Sequence, residues 1–161
     1  MLSEKMQKAL NGQINAEFYS SFLYLAMAAY FLKENWNGFA SWMEKQSVEE
    51  YGHAMKFYKY LANTDSPILL EAIEKPRSEW KSSLEIFEES LKHEKYISGR
   101  INDLVNQAIS EKDHATGIFL QWFVTEQVEE EATVDNIVNK FKFLGDNKSA
   151  LYMLDKELGS R

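Results

Sequence analysis

Both prolines of this 161-residue chain, Pro67 and Pro76, fall in one stretch between Thr64 and Trp80. Proline removes a backbone donor and clashes with the preceding turn, so long helices avoid it. On either side of that stretch, apolar residues recur in alternating steps of three and four, the spacing of one helix face. The pattern predicts four long helices: roughly Ser3 to Glu34, Asn37 to Asn63, Ser82 to Lys112 and Ala115 to Leu144. Ser82 or Ser83 is placed to cap the third, and Gly145 to end the fourth. A short fifth helix is expected from Lys148 to Leu158, ending near Gly159. With no internal repeat or low-complexity segment, residues 1–161 read as a single all-α domain.

The connections constrain how these rods pack. The first link and the third are about two to four residues, so each joins an antiparallel pair. The segment between the second and third helices is about 17 residues and reaches about 56 Å when extended. A helix of about 28 residues is about 42 Å long. The segment can therefore run the whole length of a four-helix bundle, giving an up, down, down, up order with one long crossover. That crossover is apolar for a loop, holding Ile68, Leu69, Leu70, Ala72 and Ile73. Two readings stay open: the residues cap the flank of the bundle, or they cover a subunit interface.

Each helix carries one stripe of expected core positions. The first reads Met6, Leu10, Gln13, Glu17, Ser20, Tyr24, Met27, Phe31; the second Phe39, Met43, Gln46, Glu50, His53, Phe57, Tyr60. The third reads Leu84, Phe87, Leu91, Glu94, Ser98, Ile101, Val105, Ala108; the fourth Leu120, Phe123, Gln127, Glu130, Val134, Ile137, Phe141, Leu144. Every stripe is apolar at its ends and carboxylate-bearing near its middle, and the four middles meet in one layer. A single glutamate in a seam is usually a register device, and Glu-x-x-His alone arises by chance. Four interruptions at matching height are another matter, because unpaired buried carboxylates cost several kcal/mol each. No Lys or Arg shares these stretches of the seams. Glu17, Glu50, Glu94 and Glu130 carry four negative charges when ionised, which two divalent cations balance. His53 adds a nitrogen ligand three residues from Glu50, on the same face. Oxygen-rich ligands with one imidazole suit iron(II) or manganese(II). Tyr24 reads either as an ordinary core tyrosine or as a hydrogen-bond or electron donor beside the metals. His93 and His114 lie off the seams and read as surface residues, and the four tryptophans as packing, with Trp122 close enough to the site to matter. Glu49, Glu126 and Glu129, each one residue from the seam, read either as a solvated face or, with Glu130, as a third cation position.

Composition narrows the classes of function. There is no cysteine, which excludes disulfide scaffolds, thiol nucleophiles and iron–sulfur clusters. A net charge of −7 disfavours nucleic-acid binding and permits partnership with cations. The longest uncharged run is short of the roughly 20 residues of a membrane helix. The beginning of the chain lacks an apolar signal region, so a soluble cytoplasmic protein is expected.

Taken together, Glu17, "EEYGH" around Glu50 and His53, "KHEKY" around Glu94 and "TEQVEEE" from Thr125 to Glu131 resemble the bacterial and archaeal non-haem ferritins. The similarity spans essentially the whole chain, including "INAEFYSSFLYLAMA", "EKDHATGIFLQWF" and "LDKELG". The resemblance implies the ferritin-like four-helix bundle with its short C-terminal helix. It also implies a hollow 24-subunit homo-oligomeric shell that oxidises iron(II) with dioxygen or hydrogen peroxide and stores iron(III) mineral. Carried over by position, Glu17 and His53 hold one iron, Glu50 bridges, and Glu94 and Glu130 hold the other, with Gln127 hydrogen-bonding nearby. Glu49, Glu126, Glu129 and the shared Glu130 form a third iron site, and Tyr24 matches the tyrosine beside the pair. Bacterioferritins carry a second Glu-x-x-His on the fourth helix, where this chain has Gln127 and Glu130, and a haem-binding methionine where it has Tyr51; no haem is expected. The rival expectation is a di-iron oxidase or peroxidase acting on a separate substrate, which needs a substrate pocket in the seam. A metal-free helical interaction module is a third.

Overall fold

The computed structural model describes residues 2–161. Five helices follow in order: α1 Glu4–Lys33, α2 Asn37–Asn63, α3 Ser83–Glu111, α4 His114–Leu144 and α5 Lys148–Gly159. Most begin where a short polar side chain takes up a free backbone donor. Ser3 accepts from the Met6 amide at 3.0 Å, Ser82 from Glu85 at 3.1 Å and Asn147 from Ala150 at 3.0 Å. Asp113 accepts from Thr116 at 3.0 Å, which starts α4 at His114 rather than Ala115. Lys112, left-handed at φ 54°, lets α3 turn into α4 through two residues.

The exception is α2, whose N-cap position holds Trp36 and offers no side-chain bond. The buried Asp155 of α5 does this work, accepting from the Phe39 amide at 2.8 Å. A carboxylate there also meets the positive end of the helix dipole. The two helices come so close that a Cβ on Gly38 would lie 1.8 Å from the Asp155 carbonyl oxygen.

The crossover runs along α1. Asn11 donates to the Pro67 carbonyl at 2.9 Å and accepts from the Leu69 amide at 2.7 Å; Asn15 donates to the Ala72 carbonyl at 3.1 Å. Farther on, Trp80 meets Tyr30 edge-on at 5.7 Å. The chain thus returns to the end of α1 before α3 begins, and the bundle is up, down, down, up. Ile68 tucks against the core, while Leu69 and Leu70 stay more than half exposed beside Phe22 and Tyr51. Among the described residues no helix is long and apolar enough to cross a membrane.

Two apolar clusters fill the bundle. At one end Phe31, Phe39, Phe87 and Phe141 pack ring to ring at 5.1–6.0 Å. At the other, Phe57 stacks on Phe123 at 4.1 Å among Met6, Leu10, Leu61, Ile101 and Leu120. Burying each such ring contributes about 2 kcal/mol. The expected stripes hold on α1 throughout. On α2, Leu61 rather than Tyr60 is buried, and on α4 Leu144 is only half-buried. On α3 the expected Leu84, Leu91, Ser98 and Val105 are half-buried, and Ile86, Ser90, Ile97 and Leu104 face the core instead. The helix is rotated slightly about the shared positions Phe87, Glu94, Ile101 and Ala108. His93 is consequently no surface residue: half-buried, its Nε2 lies 2.7 Å from the Ser20 hydroxyl. Burial pushes its pKa down to about 4, so the ring is neutral at pH 7. His114 is exposed.

Candidate metal centre

Between the apolar clusters lies a layer of buried polar groups. Glu17 and Ser20 come from α1, Gln46, Glu50 and His53 from α2, Glu94 from α3, and Gln127 and Glu130 from α4. The four carboxylates are each 7% exposed or less, although side chains of this kind are almost never buried alone. Three sets of ligand atoms converge to within 4.8 Å of one another: Glu17, Glu50 and His53; Glu50, Glu94 and Glu130; and His53, Glu126 and Glu130. Glu50 belongs to the first two sets, so it stands between two positions.

The hydrogen bonds leave specific atoms free. Glu94 accepts from the Tyr24 hydroxyl at one oxygen and from Gln127 Nε2 at the other, at 3.2 Å. Glu17 Oε1 accepts from Gln13 at 2.7 Å, and Glu130 Oε2 from Gln46 at 2.9 Å. Glu50 Oε2 faces His53 Nδ1 at 3.2 Å. Glu17 Oε2 and Glu50 Oε1, both buried, have no donor among the described residues when both acids are ionised. Two unpartnered carboxylate oxygens in one dry layer fit a cation, or else a shared proton. The donor set, four carboxylates and an imidazole without sulfur, suits a hard or borderline divalent metal.

Electrostatics favour the proton while no cation is bound. Burial, reinforced by neighbouring Glu50, pushes the Glu17 carboxyl up to about 8. Burial and then Glu94 push Glu130 up to about 7. Glu50 lies well above the usual carboxylate range, from burial first and then from Glu94 and Glu130. Glu94 is also raised, mainly by burial. Tyr24 is held far above its ordinary value by burial and by Glu94, so it stays a donor. Burial thus holds back ionisation of these carboxyls while no cation neutralises them.

The structure also shows groups the sequence reading missed. Two arginines reach the layer through glutamines. Arg100 Nε donates to Gln13 Oε1 at 2.9 Å, and Gln13 donates onward to Glu17. Arg161 donates to Gln46 Oε1, and Gln46 donates onward to Glu130. Each guanidinium fixes an amide so that its NH2 points at a carboxylate. The signal was present in the position of Gln13 and Gln46, each one turn before a glutamate, but not in the arginines' own positions. Trp122 packs edge-on against His53 at 5.4 Å under the Lys56 ammonium, restricting the imidazole.

The outer acidic set is only partly gathered. Glu126 Oε1 lies 3.9 Å from His53 Nε2 and shares a ligand set with Glu130. Glu49 is exposed and paired with Arg161 at 2.7 Å, and Glu129 is exposed.

Comparison with known proteins agrees with this geometry. The Ferritin-like domain family matches residues 7–144. The bacterial non-heme ferritin of Bacteroides fragilis (strain 638R) is 45% identical over 161 residues, covering all of both chains. That of Staphylococcus aureus (strain MRSA252) is 40% identical, covering all of this chain and 97% of its own. A crystal structure of an open pore ferritin from the hyperthermophilic archaeon Archaeoglobus fulgidus superposes with a TM-score of 0.99 at 50% identity, covering 100% of this chain and 99% of that one. Fold, buried carboxylate layer and full-length similarity place the chain in the ferritin family, among its prokaryotic non-haem members.

Proposed function

We propose that the chain is an iron-storage ferroxidase: it takes iron(II) as substrate, oxidises it in the buried layer and passes iron(III) to a mineral inside a multi-subunit shell. The observation that carries this reading is the pair of ligand sets sharing Glu50, with unpartnered oxygens on Glu17 and Glu50. Glu17 and His53 hold one iron, Glu94 and Glu130 the other, and Glu50 bridges them. Glu126 and Glu130, with Glu49 and Glu129 reached by side-chain rotation, form a third iron position beside the pair.

The layer's residues divide the work. The carboxylates give up their protons as iron(II) enters, so the dry layer stays near neutrality. Tyr24 and Gln127 hold the Glu94 oxygens in place, and Trp122 holds the His53 ring. Each iron gives up one electron, and dioxygen accepts both; hydrogen peroxide is an alternative two-electron acceptor. The charge added on oxidation exceeds what four carboxylates neutralise, so it is balanced by hydroxide formed from water, whose protons leave to solvent, and the hydrolysed iron(III) passes on to the mineral.

The exposed crossover leucines Leu69 and Leu70, with Phe22 and Tyr51, form an apolar flank that suits subunit contact in a cytoplasmic 24-subunit shell. A reading as an oxidase of a separate organic substrate is less well supported. A cleft of about 980 Å³ lies between the start of α2 and α5, lined by Trp36, Gly38 and Tyr152 rather than by the four glutamates.

Gel filtration followed by aerobic iron(II) addition tests the proposal. A storage shell elutes near 24 times the 18.7 kDa subunit and turns amber with no added substrate. In Glu50→Ala the shell still assembles, but rapid oxidation slows by at least about a hundredfold, the scale for removing a metal-site group. An unaltered rate removes Glu50 from the mechanism.

A further inference from the structure

Arg161, just past α5, makes three contacts that a solvated surface arginine does not. Its Nη2 donates to Glu49 Oε2 at 2.7 Å. Its Nη1 donates to the carbonyl oxygen of Gln46, whose amide nitrogen donates to Glu130 Oε2 at 2.9 Å. Its guanidinium lies 5.1 Å over the ring of buried Trp42. Gln46 is fully buried, so the positive charge at the rim connects through a dry amide to a carboxylate of the metal layer. The other arginine of this kind, Arg100, contacts Gln13 but no member of the outer acidic set. Arg161 alone pairs with one, Glu49. The arm that carries it is fixed by the Asp155 bond to α2 and by the close approach at Gly38.

Resting on the proposed third iron position, we infer that Arg161 is its built-in counter-ion: a guanidinium that occupies Glu49 until an incoming divalent cation displaces it. Arginine does not lose its proton at any working pH, so it can be removed from Glu49 only by movement. With Arg161 in place, Glu49 is turned toward the guanidinium, and of the outer acidic set Glu126 and Glu130 are drawn together, beside His53. When Arg161 swings out, Glu49 is released to the outer cation. Gln46 loses the bond that orients it, which frees Glu130 Oε2 as well. A cleft of about 530 Å³, lined by Ser41, Glu44, Lys45, Val48, Glu49 and Arg161, gives the side chain room to leave. Arg161 is thus a positioning residue that sets the occupancy of the outer site and makes it the weakest of three.

Anaerobic titration of the assembled protein with zinc(II), by calorimetry with dialysis to count bound metal, reads this directly. Arg161→Gln tightens the third binding step about five- to tenfold, the worth of one partly exposed charge-assisted pair, and leaves the first two within about twofold. Should the unaltered protein bind two zinc ions and Arg161→Gln three, the inference also stands. An unchanged or weakened third step, or two ions in both proteins, overturns it. Glu49→Gln separates the two levels: if it abolishes the third step while Arg161→Gln is inert, only the role of Arg161 fails. If the third step survives Glu49→Gln, the outer-site reading fails with it. A zinc-soaked crystal of the unaltered protein gives a check that no substitution can confound. Metal on Glu49 with Arg161 swung away supports displacement; metal on Glu49 with Arg161 still bonded to it refutes displacement.

Discussion

On the proposed function, filling the buried layer with metal expels the protons that burial holds on its carboxyls. Zinc(II) is the cleanest perturbation because it binds without being oxidised. At pH 7 a carboxyl at about 8 is about nine-tenths protonated, and one at about 7 is half protonated, so Glu17 and Glu130 together hold about 1.4 protons per subunit. Calorimetry in buffers of differing ionisation enthalpy gives the count as the slope of apparent enthalpy. Metal-bound water can also lose protons, so the decisive quantity is a difference. Glu17→Gln, which can still accept from Gln13, removes about 0.9 of a proton from the release at pH 7. That difference shrinks to about a tenth of a proton by pH 9, where Glu17 is ionised before metal arrives. Equal release from the two proteins at pH 7 refutes the idea that the Glu17 charge is suppressed by burial.

The same shift has a stability consequence. A carboxyl whose folded pKa lies above its unfolded value binds more protons in the fold, so metal-free stability falls as pH rises from about 4.5 to about 8. By pH 7 Glu17 alone costs about 3 kcal/mol, and denaturant unfolding of metal-free Glu17→Gln shows a correspondingly flatter pH slope; parallel slopes contradict this. Tyr24→Phe strips one donor from Glu94 and weakens metal binding at the second position about tenfold, measured by anaerobic titration, without disassembling the protein. Gly38→Ala drives a methyl into the Asp155 backbone, so α5 undocks; limited proteolysis cuts after Leu144 at least about tenfold faster, while the four-helix core keeps its circular dichroism.

The sequence carried the helices because their boundaries are local matters: two prolines in one connection, a serine cap before the third helix, and a glycine stop after the fourth. The carboxylate layer was legible for a different reason, since four charges on four apolar stripes violate burial in a way only convergence explains. What escaped was everything decided by helix rotation or by long side chains. The third helix turned slightly about Glu94, which buried Ile97 and drew His93 against Ser20. Arg100 and Arg161 sit off every stripe and reach inward over several bonds, so no periodicity flags them. The cap on α2 comes from a residue 116 positions away, Asp155 on α5, which no local rule detects.

The phenylalanine clusters bracket the buried carboxylate layer from both ends. Phe31, Phe39, Phe87 and Phe141 plug one end of the bundle axis, and Phe57, Phe119 and Phe123 plug the other. A hydrated ion has no lengthwise route through those rings. On the proposed function, ion traffic to and from the four glutamates is expected to run transversely, between neighbouring rods at mid-height. The tempo of loading then belongs to the residues lining that lateral seam, Trp122, Lys56 and Glu126 among them, rather than to the ligands that hold the ion once it arrives.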